Sequence, residues 1–315
     1  MIRVALDAMG GDLGPRIAFD GAVNILSRHQ DVTITIYYSP NPGLDLPAPH
    51  DRLTLIACTD VIDADDEIVL SLFRRRNSTL YQSLNALAQK SSDVVVTLGN
   101  TGAMVALARH ILGVVRPKLY PALIRELYSN PLRCLVDLGA NVHCPPSMLV
   151  GFAELGSAYV EALSDEVPKV GLLNVGVESS KGSVVIKEAD RLLSEKAWPT
   201  YLGYAEGTEL FDGEKNVIVC DGMVGNAVLK ASEGLLSFLM QKFKGMDGVS
   251  SLFETFYQTE RRHGACLVGV RGNLVKGHGR SDLPAMVGAI EYGIDIARAD
   301  LFSAMEARLC SEEVK

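Results

Sequence analysis

A loop of glycine, asparagine and threonine is the stretch whose residue types most clearly suggest chemistry. It reads Gly99-Asn100-Thr101-Gly102 and follows residues 94–96, a valine run typical of a strand buried on both faces, and a helix is predicted from Ala103 onward. The start of a helix presents unpaired backbone N–H groups and a partial positive charge, so this loop is suited to a phosphate-sized anion. Similar loops also occur in α/β proteins that bind nothing there, and one loop alone does not decide between the two.

The same pattern recurs, because five predicted strands end in glycine together with asparagine or aspartate. The first of these ends is the turn that contains Gly10 and Gly11. Four of the ends carry an asparagine, whose amide can donate to an oxyanion but which is equally a common turn former. These residues are Asn100, Asn141, Asn174 and Asn226.

The alternation of strands and helices along the chain predicts an α/β fold, with a mostly parallel sheet covered by helices on both faces. Ligands of such sheets collect at the carboxyl ends of the strands, so the five loops are expected to converge there. Residues 1–315 are predicted to form a single domain.

Other catalytic and metal-binding signatures are missing from the sequence. It contains no GxSxG elbow, HExxH, GxxxxGK[ST] or GxGxxG motif. His143-Cys144 is an adjacent pair, but it lacks the ligand count of a zinc site and is interpreted as structural. The sequence therefore predicts an anion site with no catalytic triad, no metal and no cofactor.

Composition restricts the function further. The formal net charge of −8 disfavours nucleic acid as a partner. The six cysteines are scattered without CxxC spacing and are interpreted as reduced thiols. The chain enters its first strand directly and has no apolar run of membrane-spanning length, which predicts a cytoplasmic protein.

Residues 228–243 contain more apolar positions than one core-facing helical stripe needs. Gly245 and Gly248 then interrupt the pattern, which resumes near Phe256, so a helical hairpin is predicted at residues 228–260. Its apolar side chains would rest on a bilayer, on a second subunit or on the core of the same chain.

Six motifs in order resemble one known family, the acyl-acyl carrier protein:phosphate acyltransferases of bacterial phospholipid synthesis. They are DAMGGDLGP at 7–15, GNTGA at 99–103, VDLGAN at 136–141, GLLNVGVE at 171–178 with Lys181-Gly182, CDGMVGN at 220–226 with Lys230, and GACLVGVRG…KGHG at 264–279. The resemblance implies transfer of a fatty acyl group from an acyl carrier protein thioester to inorganic phosphate. It also implies a fold like those of phosphate acetyltransferase and isopropylmalate dehydrogenase, a homodimer, and peripheral attachment to the inner face of the membrane through the hairpin.

The resemblance assigns site residues as well. Lys181 and Asn226 match the family's functional lysine and asparagine, so Lys181 is expected to orient phosphate and Asn226 to donate to phosphate or to the oxyanion. Further donors to phosphate, or to the pantetheine phosphodiester in the case of the last three, are expected at Gly10, Gly11, Gly99, Asn100, Thr101, Gly102, Asn141, Arg271, Lys276 and His278. Leu98, where the family commonly has a small residue, is expected to narrow the pocket.

Two alternatives stay open from the sequence. The first is a phosphate acetyltransferase that uses acetyl-CoA. The second is a non-catalytic membrane scaffold that recruits the next enzyme of phospholipid synthesis, a glycerol-3-phosphate acyltransferase, through the hairpin.

Overall fold

The computed structural model describes residues 1–41, 44–63, 65–129, 131–196, 198, 200–243 and 264–311. In chain order the elements are β1 (Ile2–Asp7), α1 (Arg16–Arg28), β2 (Val32–Tyr38), β3 (Leu53–Ala57), α2 (Thr79–Ala88), β4 (Val94–Thr97), α3 (Thr101–Ile111), β5 (Ala122–Ser129), β6 (Leu132–Val136), α4 (Pro146–Leu163), β7 (Val170–Leu173), α5 (Val184–Glu195), β8 (Tyr201–Ala205), β9 (Val217–Val219), α6 (Gly222–Phe243), β10 (Ala265–Val268), β11 (Asn273–Lys276), α7 (Leu283–Arg298) and α8 (Leu301–Ser311). Short 3-10 helices occur at Leu70–Arg74 and Gly207–Leu210.

The chain divides into two compact units. Unit 1 comprises Met1–Pro121 and Arg262–Lys315, and unit 2 comprises Ala122–Arg261. In unit 1 the strands are ordered β3-β2-β1-β4-β11-β10, and all neighbours are parallel except β10 and β11, which pair antiparallel. Residues 94–96 of β4 have no exposed surface, and helices α2 and α7 pack against this strand. The predicted burial of this strand on both faces is confirmed.

In unit 2 the strands are ordered β5-β6-β9-β7-β8, and only β5 and β6 are antiparallel. Helix α4 packs on β6, β9 and β7, with α5 beside it. Helix α6 is different, since only Gly222 and Gly225 are buried among its 22 residues, all of which the structure describes. Leu235 and Phe238 on this helix are 59% and 54% exposed.

The mostly parallel α/β sheet predicted from the sequence is confirmed. The apolar runs at residues 32–38, 53–57 and 170–173 predict strands, and β2, β3 and β7 begin and end at those residues. Three local predictions were wrong. The sequence predicts no strand where β5 and β8 lie. It predicts a helix at residues 68–75, where the structure has only the 3-10 helix Leu70–Arg74. Asn226, predicted in the loop after a strand, lies inside α6.

The predicted hairpin at 228–260 is described only as far as Phe243, and the rest of it lies outside the described residues. Among the helices that the structure describes, none combines the length and the apolar character needed to cross a bilayer.

Candidate functional site

Two glycine-containing loops meet at the carboxyl ends of β1 and β4 in unit 1. A methyl group on Gly10 would overlap the backbone of Gly99, so the two loops approach as closely as glycine alone permits. Asp12 N donates to Gly279 O at 2.8 Å, which ties the first loop to the segment that follows β11. The structure therefore brings two of the five predicted loops, together with the segment that follows β11, to one edge of this sheet.

Asp7, the last residue of β1, holds these loops in place through a chain of hydrogen bonds. Its carboxylate is buried and accepts a hydrogen bond from Thr97 Oγ1 at 2.8 Å, and the same hydroxyl accepts from Gly99 N at 3.0 Å. Burial raises the pKa of Asp7, although hydrogen bonds from Thr79, Thr97 and Met9 N oppose the shift. Sequence reasoning missed this residue.

The N-terminus of α3 is arranged as an anion site requires. Asn100 caps the helix, since its Oδ1 accepts from Ala103 N at 3.0 Å. The N–H groups of Thr101 and Gly102 have no hydrogen-bond acceptor within the part of the chain that the structure describes. They are the orphan donors of a helix start and remain available to a phosphate oxygen.

Lys276 ends β11 beside this loop. Its Nζ donates to Leu98 O at 3.1 Å and to Gly277 O, which leaves one of its three donors for a ligand. Burial lowers the pKa of Lys276 to about 8, while the nearby carboxylates of Asp7 and Asp12 act in the opposite direction. A lysine with such a pKa changes its charge close to neutral pH.

Arg271 and His278 are not brought to this group. Arg271 precedes β11 and so lies at the opposite edge of the sheet from Lys276, where it pairs with Glu306 at 2.9 Å and donates to Val114 O. His278 is exposed, and its Nδ1 accepts from Arg280 N at 3.1 Å.

Leu98 does not line an opening. Its side chain is 4% exposed and fills the space next to Gly11 and Gly277, because a methyl group on Gly11 would lie 3.0 Å from Leu98 Cδ1 and one on Gly277 would overlap Cδ2. The expectation that Leu98 narrows a pocket is therefore replaced by a packing role beneath the loops.

A second group of predicted residues lies in unit 2, around a buried aspartate. Asp137 follows β6, and its carboxylate accepts from the backbone N–H groups of Leu123, Leu138, Ala140 and Asn141 and from the Asn141 side-chain amide, at 2.7 to 3.1 Å. Burial raises the pKa of Asp137, and these hydrogen bonds oppose the shift. The loop that carries Asn141 is thus folded around one side chain. Sequence reasoning missed this residue as well.

The start of α6 packs directly on the Asp137 loop. Gly222 N donates to Asn141 O at 2.9 Å, and a methyl group on Gly225 would overlap the backbone carbonyl of Asp137. Asn226 follows in the second turn, next to Gly139. Its side-chain amide has no hydrogen-bond partner among the described residues, so both its donor and its acceptor are available to a ligand.

Lys181 lies in the loop after β7, and Asn174 shapes that loop. Asn174 Nδ2 donates to Gly176 O at 3.1 Å, and Gly182, with φ +91°, packs against the same amide. Lys181 itself is exposed, and within the described ranges it forms no ion pair. Lys181 therefore lies on a loop whose conformation Asn174 stabilises, and its ammonium group is available to bind an anion.

The loops of Asn141, Lys181 and Asn226 leave unit 2 at one edge. Strands β6, β9 and β7 are parallel neighbours in that order, with Val136 paired to Val219 and Val219 to Leu172, so all three end at the same level. Parallel strands whose loops share an edge form the usual ligand-binding side of such a sheet. A free cation and a free amide there suit an anionic substrate and a developing oxyanion.

One sequence signal would have found the two buried carboxylates. Asp7 and Asp137 each stand at the junction between an apolar strand and a glycine-containing loop, in LDAMGG and VDLGAN. In the described part of the chain no cluster of three or more histidine, cysteine, aspartate or glutamate side chains is placed to hold a metal ion.

Comparison with known sequences gives a consistent set of relatives. The family model described as "Fatty acid synthesis protein" matches residues 2–304. A phosphate acyltransferase of Polaromonas sp. is 35% identical, over 98% of this chain and 90% of the relative. One of Vibrio vulnificus is 34% identical, over 98% of this chain and 96% of the relative.

Comparison with solved structures identifies the fold. A branched-chain phosphotransacylase from Enterococcus faecalis aligns with a TM-score of 0.59 and 12% identity, covering 93% of this chain and 98% of the other. A phosphotransacetylase from Streptococcus pyogenes aligns with a TM-score of 0.60 and 13% identity, covering 95% and 94%. At this level of identity the likeness concerns the fold alone.

Proposed function

Because the chain belongs to the family described as fatty acid synthesis protein, we propose that it is a phosphate acyltransferase. The reaction moves a fatty acyl group from an acyl carrier protein thioester to inorganic phosphate and gives an acyl phosphate for phosphatidic acid synthesis. The observation that carries the proposal is the 35% identity, over 98% of this chain, to a relative named phosphate acyltransferase. The proposal treats residues 1–315 as one acyltransferase domain.

The chemistry needs little acid or base assistance. A phosphate oxygen attacks the thioester carbonyl carbon, the C–S bond breaks, and the proton of hydrogen phosphate ends on the departing thiolate. Phosphate is partly dianionic near neutral pH, and a thiol with a pKa of about 8.5 is a good leaving group. The enzyme must therefore hold an anion near a carbonyl and stabilise the tetrahedral oxyanion.

Two residues of unit 2 are assigned the central roles. Lys181 orients phosphate and compensates its charge as the transition state forms, which its exposed and unpaired ammonium group supports. Asn226 donates from its amide to phosphate or to the oxyanion. Asn141, whose side-chain amide donates to Asp137, is a secondary candidate donor to phosphate at the same edge.

Residues of unit 1 are assigned to phosphate binding. The unpaired N–H groups of Thr101 and Gly102 support this assignment, and Gly10, Gly11, Gly99 and Asn100 shape the loops around them. Lys276 adds a cation whose charge depends on pH. Arg271 and His278 stay secondary candidates for the pantetheine phosphodiester.

Direct assays with purified protein test the reaction. Palmitoyl carrier protein and phosphate should give acyl phosphate with release of free carrier thiol, whereas acetyl-CoA should be a poor donor. Acetyl-CoA as the better donor would favour a phosphate acetyltransferase. Absence of acyl phosphate from both donors would overturn the catalytic proposal and favour a scaffold.

We also propose a homodimer that attaches peripherally to the membrane through α6 and the residues that follow it, near a glycerol-3-phosphate acyltransferase that uses the product. The support is the apolar surface of α6, on which Leu235 and Phe238 are more than half exposed. Acyl phosphates are reactive, so release close to the consuming enzyme limits their hydrolysis.

A further inference from the structure

Three consecutive apolar side chains are exposed beside the anion loop of unit 1. Ile68, Val69 and Leu70 are 55%, 47% and 84% exposed, and they lead into the 3-10 helix Leu70–Arg74. Scattered single apolar residues on a surface are ordinary, whereas a contiguous run beside a polar site needs an explanation. We call these residues the 68–70 triplet.

The residues that follow the triplet are packed against the rest of unit 1. Leu72, in the same 3-10 helix, is 2% exposed, and the Phe73 ring packs on His110 of α3 with 5.0 Å between ring centroids. Arg75, which follows the 3-10 helix, forms ion pairs with Asp60 at 2.6 Å and with Asp66 at 2.5 Å, and these pairs hold the segment before the triplet in place. The exposure of the triplet is therefore a property of a well-anchored element.

The triplet also contacts the anion loop directly. A methyl group on Gly102 would overlap Ile68 Cδ1 and lie 3.3 Å from Ile68 Cγ1, so Ile68 rests on the first turn of α3. The Asn100 amide donates to Asp66 O at 3.3 Å, which fixes the segment just before the triplet to the loop. The exposed apolar surface of the triplet therefore adjoins the first turn of α3, which carries the unpaired N–H groups of Thr101 and Gly102.

We propose that the 68–70 triplet is the contact surface for the fatty acyl chain of the substrate, an inference that rests on the proposed function. A phosphate on the α3 N-terminus reacts with a carbonyl about 3–3.5 Å away, so the first methylenes of the chain must lie within a few ångströms of that loop. Each methylene removed from water strengthens binding by about fourfold. The triplet supplies apolar surface at that position, so it favours long chains over short ones.

Leu70→Asn tests this role, because Leu70 is 84% exposed and its replacement leaves the core intact. The matched control is Val167→Asn, at a side chain 69% exposed in the loop before β7. Thermal melts of both variants should equal that of the unchanged protein. We expect kcat/KM for palmitoyl carrier protein to fall about tenfold in Leu70→Asn, with butyryl carrier protein and the control little affected.

The outcomes separate the two levels of proposal. If kcat/KM of Leu70→Asn falls equally for the palmitoyl and butyryl substrates, or falls for neither, the acyl-chain assignment is wrong. The proposed reaction still holds in that case, provided that the unchanged protein forms acyl phosphate. An unchanged protein that is inactive on both overturns the reaction and the assignment with it. A changed oligomeric mass of Leu70→Asn, or weaker vesicle binding with normal chain preference, would identify a second copy or a bilayer as the occupant instead.

Discussion

The side chains of Lys181 and Asn226 differ from those of Asn141 and Asn174 at the carboxyl edge of unit 2, because neither forms a hydrogen bond or ion pair with the described chain. Asn174 and Asn141, by contrast, use their amides to brace loops. Residues that hold structure and residues that face a ligand can be distinguished in this way. The distinction is the basis of the first prediction.

Lys181→Ala and Asn226→Ala should each lower kcat for acyl phosphate formation by about 10²–10³-fold, the effect of removing one donor to a developing oxyanion. Their melting temperatures should not change, because neither side chain stabilises the described fold. Lys187→Ala, at an exposed lysine on α5, is the matched control and should retain full activity. Near-normal rates in both site variants would reject the assignment.

Lys276 predicts a pH dependence. Its folded-state pKa is lowered by burial to about 8, so its positive charge is present below that pH and is lost as pH rises through it. The KM for phosphate should therefore rise between about pH 8 and 9, where inorganic phosphate is already mostly dianionic. In Lys276→Arg the guanidinium keeps its charge, and the rise should be absent. A KM independent of pH in the unchanged protein would exclude Lys276 from phosphate binding.

Sequence reasoning found the site loops because glycine and asparagine after an apolar strand have a direct physical meaning at the sheet edge. It did not separate Arg271 from Lys276, since both lie in one glycine-rich stretch. The structure resolves that stretch into the antiparallel pair β10 and β11, with Arg271 in the connection and Lys276 at the far end of the second strand. A reversal of chain direction is set by pairing, which residue types do not reveal.

At the scale of elements, the contact between α6 and the Asp137 loop depends on the absence of a side chain. Gly225→Ala would place a methyl group on the Asp137 carbonyl, and both backbones must shift to avoid it. The variant should lower the free energy of unfolding by about 1–3 kcal/mol, the usual cost of overpacking. Urea denaturation measures this change.

Gly234 provides the control in the same helix. A methyl group there meets nothing within 4 Å, so Gly234→Ala should raise the free energy of unfolding by up to about 1 kcal/mol through helix propensity alone. Equal effects of the two substitutions would show that the packing of α6 on the Asp137 loop does not contribute to stability.

Strands and helices were predictable where apolar residues follow a clear period, as in β2, β3 and β7. Strand β5 was missed because charged residues interrupt its sequence. The structure explains their presence: Arg125 pairs with Glu233 on α6 at 2.8 Å, and buried Glu126 accepts from Tyr159 OH on α4 at 2.7 Å. Partners distant in sequence make charged residues compatible with a strand, and a local pattern cannot anticipate them.

At the scale of the whole molecule, the exposed apolar surface of α6 is expected to be buried against a bilayer or against another protein chain. Its described residues bury only Gly222 and Gly225, although the helix carries leucine, phenylalanine and methionine along its second half. An enzyme whose substrate is a fatty acyl chain and whose product enters phospholipid synthesis has a reason to lie on a bilayer. A second copy of the chain could bury the same side chains.

Replacing Leu236, Phe238 and Leu239 together by serine should distinguish the two covers. Each large apolar side chain contributes about 1.5–3 kcal/mol when fully buried, so losing even part of three such contributions should weaken sedimentation with anionic phospholipid vesicles by more than tenfold. Leu202→Ser, on β8 and 41% exposed, is the control and should bind vesicles normally. The opposite outcome is unchanged sedimentation of the triple variant together with a molecular mass, measured by light scattering, that falls to that of a single chain. This result would show that a second copy of the chain covers α6 and that membrane attachment uses another surface.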